Sequence, residues 1–396
     1  MEVEKIKSVI SQALPTADEV DAMTITVNYK ILVAAEILEY VDRIYDFLKN
    51  NNRLPGGNNC HVDKSIIRGL ADLKCAIIIA FEEKTDTMVG LIVGFLVPTL
   101  IEGSKMNKPG IPSKLAFDGS NRSDDAKAIR NLLKNGKALP TSYTTFSCVH
   151  VRHRKHGLAR DLVVKLKEVG EVLGIKHGYH IMPSTLYPSH VKVKQWMRPV
   201  DSTRARNLGF KIPDMTKVLS FSKATKTRDR SNRRGQLKMK ACLSRVNFQK
   251  IGDEDVNDSF EEYMAFSSSF KFRYAPSKKH WRRYVQHIPT YRILSGEEVV
   301  GIFSAMHMHM TLQVNGKIAK TMNIVMAVGD TKDIVTAGIK LCEATDALVL
   351  YMNEIGCLDG KTMDRMFCLE TNHAYSLLNF NLPVECGLTD ICLPLF

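Results

Sequence analysis

The stretch that decides the fold is Thr145–Gly178, TFSCVHVRHRKHGLARDLVVKLKEVGEVLGIKHG. Phe146, Cys148 and His150 alternate with Ser147, Val149 and Val151, the period of a short strand. A basic turn follows, Arg152-His153-Arg154-Lys155-His156-Gly157. Leu158, Leu162, Val163, Leu166, Val169 and Leu173 then recur at helical spacing and predict an amphipathic helix. A strand, a basic turn and a helix N-terminus together make an anion site, because the turn leaves N–H groups unpaired and the helix end adds positive potential. The turn reads Arg154-Lys155-His156-Gly157-Leu158-Ala159, or R-x-x-G-x-A. Gly157 lets a ligand approach the backbone, and Ala159 keeps the first helical turn thin. Three fixed positions also suit an ordinary strand-to-helix turn with a solvated basic face. The strand before it and the helix after it favour the anion site.

R-x-x-G-x-A between a strand and a helix resembles the pyrophosphate-binding motif of the GNAT superfamily of N-acetyltransferases. The wider stretch is similar to one branch, the protein N-myristoyltransferases, which read roughly N-F-L-C-V-H, a basic run, an apolar residue with A-P, then a helix. Here the matching stretches are Thr145–His150 and Leu158-Ala159. Tyr179, Pro188, the segment Trp196–Asp201 and Asn207-Leu208-Gly209-Phe210 continue the likeness. The resemblance implies a mixed-sheet α/β fold of two pseudo-symmetric GNAT-like halves, spanning roughly residues 33–396. It implies acyl-CoA, myristoyl-CoA in particular, as co-substrate without a metal, and an N-terminal glycine peptide as acceptor. Cys148, Val149, Arg154, Lys155, His156, Gly157, Leu158 and Ala159 are then the expected acyl-CoA contacts. The backbone amides of Phe146 and Ser147 are the expected donors to the thioester oxygen. Two parallel strands, at Phe146–Val151 and Tyr179–Pro183, are expected to part and hold the acyl-pantetheine arm.

Where the family has T-A-G after its tyrosine, this chain has the bulkier His180-Ile181-Met182. Tyr179 and Glu385 are the expected acceptor contacts. Glu385 lies in Asn381–Gly387, where the family has G-D-G-N, so acceptor preference is expected to differ from the common myristoylation pattern. The family's base is the C-terminal carboxylate. This chain ends in Ile391-Cys392-Leu393-Pro394-Leu395-Phe396, apolar enough for a buried end. The carboxylate of Phe396 is one candidate base, and a side-chain or water-relayed base with His150 first is the other.

With 396 residues, 44% of them hydrophobic and 24% charged, the chain has room for a sizeable core in one large or two joined domains. The boundaries expected are a polar lead-in over 1–24, an acyl-CoA-binding half over 25–222 with an insertion at 103–142, a basic linker over 223–245, and an acceptor-side half over 246–396. Nine scattered cysteines without C-x-x-C suit reduced thiols in the cytoplasm. No run of about twenty apolar residues predicts a spanning helix, and Met1–Lys5 lacks the core of a signal peptide. The net charge of +13 exceeds what one coenzyme needs. Residues 223–240 carry eight Lys or Arg against Asp229, with no aromatic for base stacking. They read as a solvated linker, or as a patch for an anionic membrane surface or RNA.

The second half predicts helices at 254–268, 277–286, Thr331–Ile355 and Asn372–Asn379. Strands are predicted at Tyr291–Leu294, Val299–Met310, Ala319–Val328, Met366–Glu370 and Ile391–Phe396. No R-x-x-G-x-A occurs there; its place is taken by Gly329-Asp330-Thr331. His307 and His309 share a strand face without a third ligand at metal spacing. Cys148 beside His150 lacks the orienting acid of a thiol nucleophile. The leading reading is an acyl-CoA-dependent protein N-acyltransferase. The rivals are a GNAT-fold enzyme with another acyl chain or amine, a silent acyl-CoA- or peptide-binding protein, and a basic nucleic-acid-associated protein.

Overall fold

The computed structural model describes residues 26–53, 58–101, 139–172, 175, 177–183, 191–210, 212, 245–354, 356–366, 369–377 and 391–394. The lead-in 1–24, residues 103–138 of the expected insertion, and the basic run 223–240 lie outside them.

Strand β1 is Val27–Val33, followed by helix α1 (Glu36–Asn51), the short β2 (Asn59–Val62) and α2 (Lys64–Gly69). β3 (Cys75–Glu82) and β4 (Thr87–Ile101) form a hairpin, and β5 (Leu139–Val149) lies antiparallel beside β4. Helix α3 (Leu158–Val172) crosses over to β6 (His177–Pro183), parallel to β5. β7 (Val191–Pro199) and α4 (Ser202–Leu208) close the first half.

The second half repeats the order: β8 (Val246–Lys250), α5 (Val256–Phe266), β9 (Phe272–Tyr274), α6 (Lys278–His287), then β10 (Thr290–Ser295), β11 (Glu298–Thr311) and β12 (Ile318–Gly329). α7 (Thr331–Thr345) crosses over to β13 (Val349–Asn353), parallel to β12, and α8 (Gly360–Arg365) leads to β14 (Leu369–Leu377). β15 (Ile391–Cys392) ends the described chain in a parallel pair with β9.

The strands lie side by side as β1-β3-β4-β5-β6-β14-β7-β13-β12-β11-β10-β8. Read from either end, the order is the same with the halves exchanged. β7 leaves its own half to pair with β13, and β14 leaves the other half to pair with β6. β2 pairs with β11, and β9 pairs with β4. Each half is therefore stitched into the other by two strands.

The apolar runs of β3 and β4 are continuous because both faces of these strands are covered. Ile77 and Ile79 join the core under α1 and α2. Ile78 and Ala80 join a second cluster with Leu158, Leu162 and Leu166 of α3. Each of these leucines contributes about 1.5–3 kcal/mol of apolar burial. α3 lies close to β4 because β4 presents Gly94 there: a Cβ on Gly94 would stand 2.6 Å from Leu166 Cδ1.

β5 begins at Leu139, inside the span of the expected insertion. Three sequence expectations are corrected. The predicted helix Thr331–Ile355 stops at Thr345. Asp346 adopts a left-handed φ of 57°, and the apolar run after it, with Leu348, Val349 and Leu350 buried, is strand β13 between β12 and β7. The predicted helix Asn372–Asn379 is instead β14 over its described part, where ladder bonds to β6 and β7 on both sides outweigh local propensity. The strand predicted from Met366 starts at Leu369, because Met366 caps α8. β7 was not anticipated, although its valines alternate with lysines in Val191-Lys192-Val193-Lys194.

Gly94→Val tests the close approach of α3. The added side chain forces Leu166 aside, and a loss of about 1–3 kcal/mol in urea unfolding is expected. Unchanged stability would show that the helix has slack over β4.

Candidate active site

The site grows out of an interrupted ladder. β5 and β6 pair in register from Thr141–His177 to Thr144–His180 and no further. Beyond that pair β5 stays with β4, while β6 turns to β14. The two parallel strands therefore splay, as the sequence resemblance implied.

The β4–β5 register also slips at this point. Thr145 faces Val93 and Cys148 faces Leu91, so Phe146 and Ser147 bulge from the ladder. Phe146 holds φ at +48°, a strained value for a bulky residue and one that persists only where the surroundings impose it. Ser147 is exposed and Phe146 half-buried against the core. Two consecutive peptide units thus leave the ladder beside the opening that β6 vacates.

β5 then enters a short 3-10 turn, Val151–His153. The N–H of His150 donates to Val89 at 2.9 Å, and its ring Nδ1 accepts from the Arg152 N–H at 3.3 Å. Lys155 and Gly157 both take left-handed φ values, +68° and +82°. Alternating conformations of this kind turn successive N–H groups to one side and form an anion nest. Among the described residues, the N–H groups of Lys155, Gly157, Leu158 and Ala159 have no backbone acceptor outside the helix. The Gly157 carbonyl accepts from Arg160 and Asp161, which starts α3. A Cβ on Gly157 would meet nothing within 4 Å, so the space over the turn is open. Lys155, His156 and Arg160 are exposed around it. Arg154 itself bonds to two backbone carbonyls, those of Val149 and Asn51. Leu158 is buried under α3 and anchors the helix start.

The equivalent place in the second half is closed. β12 and β13 separate after Ile324–Met352, and a bulge again sits beside the separation, at Val325. There the Asp330 carboxylate accepts from the Lys332 N–H at 2.8 Å and caps α7. Thr331 Oγ1 donates to the Cys357 carbonyl. The thiols of Cys357 and Cys392 both reach the Ala327 carbonyl, at 3.4 and 3.9 Å. The chain's own residues and a carboxylate occupy what stays open in the first half.

Other expected residues are dispersed. Tyr179 is fully buried, stacked on Tyr143 at 4.8 Å, and its hydroxyl donates to the Pro394 carbonyl at 3.3 Å. It touches the chain's own end segment at the floor of the splay. Phe396 and Glu385 lie outside the described residues. Cys148 is buried in β5, and burial pushes its thiol up to about 12, against a role as thiolate. His150 sits on the turn, its pKa lowered by burial and then by His153, Arg152 and Arg154. His180, on the last paired rung, is lowered by burial to about 4 and is neutral at pH 7. His309 Nε2 lies 2.8 Å from Asp63 Oδ1 and its ring stacks on His61, so His309 packs against β2. Among the described residues no three His, Cys, Asp or Glu side chains are grouped to hold a metal. The role of Asn51 and of β2 carried no local sequence signal.

No family model and no curated protein matches the sequence. Solved structures match the fold. Saccharomyces cerevisiae N-myristoyltransferase with bound myristoyl-CoA superposes with a TM-score of 0.62, at 13% identity, over 91% of this chain and 84% of that one. The fold is that of N-myristoyltransferase. A second structure of the yeast enzyme, with myristoyl-CoA and inhibitors, gives the same TM-score and identity over 91% and 81% of the two chains. The N-myristoyltransferase fold accounts for the paired halves and the exchanged strands at an identity too low to carry residue roles.

Gly157→Glu places a carboxylate over the open turn. With no protein atom to strike, it costs roughly 1 kcal/mol of stability for its left-handed backbone. Myristoyl-CoA affinity, read by calorimetry, is expected to fall by at least tenfold. An unchanged Kd in the folded variant would remove the turn from the binding site.

Proposed function

We propose that this protein is an acyl-CoA-dependent protein N-acyltransferase that moves a myristoyl group from coenzyme A to an N-terminal glycine. The observation that carries the reading is the open nest at Lys155–Ala159 beside the splayed strands β5 and β6. The N-myristoyltransferase fold supports it, since the yeast protein of that fold holds myristoyl-CoA in its structure.

In this reading the pyrophosphate takes the free N–H groups of the turn and the N-terminal end of α3. The exposed Lys155, His156 and Arg160 add long-range attraction for the remaining phosphate charge. Val149 and Cys148 line the strand along which the pantetheine arm runs. The thioester carbonyl then stands at the bulge. Negative charge develops on its oxygen in the transition state, and fixed peptide N–H groups of Phe146 and Ser147 stabilise that charge without reorganising. Because the donors are backbone groups, the serine at 147 serves as well as a leucine.

The acceptor arrives as an ammonium and must lose a proton to become a nucleophile. Its nitrogen then bonds to the thioester carbon. The tetrahedral species collapses as the carbon–sulfur bond breaks, and the second amine proton goes to the leaving thiolate. The products are the amide, coenzyme A and one proton on the base. The favoured base is the carboxylate at Phe396. Pro394, two residues earlier, is held in the core by Tyr179, and Leu393 is buried beside it. His150 fits less well: it lies on the turn beyond the bulge, with its Nδ1 already accepting from Arg152.

Two experiments test the proposal. Glycine-initiated peptides incubated with acyl-CoAs of several lengths and read by intact mass spectrometry should gain a myristoyl group. No acylation of any amine peptide would refute the activity. Appending two glycines after Phe396 moves the carboxylate, and single-turnover transfer should slow by roughly 10²-fold or more with myristoyl-CoA binding intact. Full activity in the extended protein would exclude that base and leave His150→Ala as the next variant.

A further inference from the structure

Arg154 opens the R-x-x-G-x-A turn, yet its hydrogen bonds go to protein backbone. Nε donates to the Val149 carbonyl at 3.0 Å and closes the turn onto the strand it has just left. A terminal guanidinium nitrogen donates at 2.7 Å to the carbonyl of Asn51, a residue 103 positions away. Asn51 is the last residue of α1 and is buried, its side-chain amide donating to Phe47. The final carbonyls of a helix have no partner within the helix and lie at the negative end of its dipole. A guanidinium at this point satisfies an orphan acceptor and meets favourable potential.

The contact joins two layers. α1 packs on one face of the β3–β4–β5 sheet and α3 on the other. The tie also continues past α1. Asn52 and Cys60 exchange two hydrogen bonds of 2.8 Å, backbone to backbone and side chain to backbone, at the start of β2. β2 is paired with β11 of the second half. Lys155 and Gly157 both need left-handed backbone, so the turn has little stability of its own. Arg154 is the side chain that holds it from outside.

We propose that Arg154 is a positioning residue, which fixes the coenzyme turn against the C-terminus of α1 through two backbone carbonyls instead of meeting a phosphate of the coenzyme. The proposal rests on the acyl-CoA reading for its consequence in binding, though the tie itself is a property of the ligand-free protein. The fork of the guanidinium is what spans both carbonyls. Lysine keeps the charge and loses the fork. Glutamine loses the charge and reaches only the Val149 carbonyl.

The experiment uses Arg154→Lys and Arg154→Gln in the full chain, with two readouts. Backbone hydrogen exchange without ligand is followed over residues 44–53 and 150–160. The Kd for myristoyl-CoA is measured beside it. Both variants should exchange faster in both segments and bind myristoyl-CoA about tenfold more weakly, because neither spans the two carbonyls. Unchanged exchange in residues 44–53 would overturn the tie. Wild-type affinity in Arg154→Lys with loss in Arg154→Gln would overturn it too, by assigning Arg154 a direct charge on phosphate. A wild-type protein that fails to bind myristoyl-CoA would refute the acyl-CoA reading, and the exchange data would still decide the tie.

Discussion

The structure depends on two parallel strands that stop pairing. Past Thr144 and His180, β5 and β6 leave peptide groups without ladder partners inside a large sheet. Such groups cost about 1–3 kcal/mol each if buried unpaired. Something has to take them, and the two halves of the chain answer differently. The second half fills its separation with Cys357, Cys392 and the segment that carries them. The first half keeps an exposed serine at its bulge and an open glycine turn at its mouth. Of two matching places, one is filled by the chain itself and the other stays open.

Electrostatics sharpen the contrast. At the start of α7 an aspartate already accepts from the Lys332 N–H, where an anion would otherwise bind. At the start of α3 the flanking residues are Lys155, His156 and Arg160, and Asp161 is the one acid in the first turn. The same strand–turn–helix unit is therefore capped by a carboxylate in one half and left open among basic side chains in the other. The exchanged strands β7 and β14 hold the two units in one sheet, so the end segment that fills the second separation also reaches Tyr179 beneath the first. Arg154 adds a lateral bond from the open turn to α1.

Much of this was legible in the residues. Thr145–Gly178 carries its own strand, turn and helix, and local patterning is strongest where a site needs a fixed shape. β10 to β12 follow from apolar runs bounded by turns. β13 did not, because Asp346 ends α7 without a glycine and the apolar run after it continues a helical pattern. β14 is decided by neighbours on both sides that belong to the other half of the chain. The bond from Arg154 to Asn51 links residues with no sequence relation, and Arg154 read as a phosphate ligand for that reason. The strand, turn and helix around the motif follow from local pattern, whereas the backbone bonds of its first side chain appear only in the tertiary structure.

The most direct measurement is a crystal structure of the protein with myristoyl-CoA. The account predicts the pyrophosphate on the N–H groups of Lys155–Ala159, the thioester oxygen at Phe146 and Ser147, and the Arg154 bonds to Val149 and Asn51 intact. Coenzyme bound at Gly329–Thr331, or no coenzyme between β5 and β6 at saturating concentration, would contradict it.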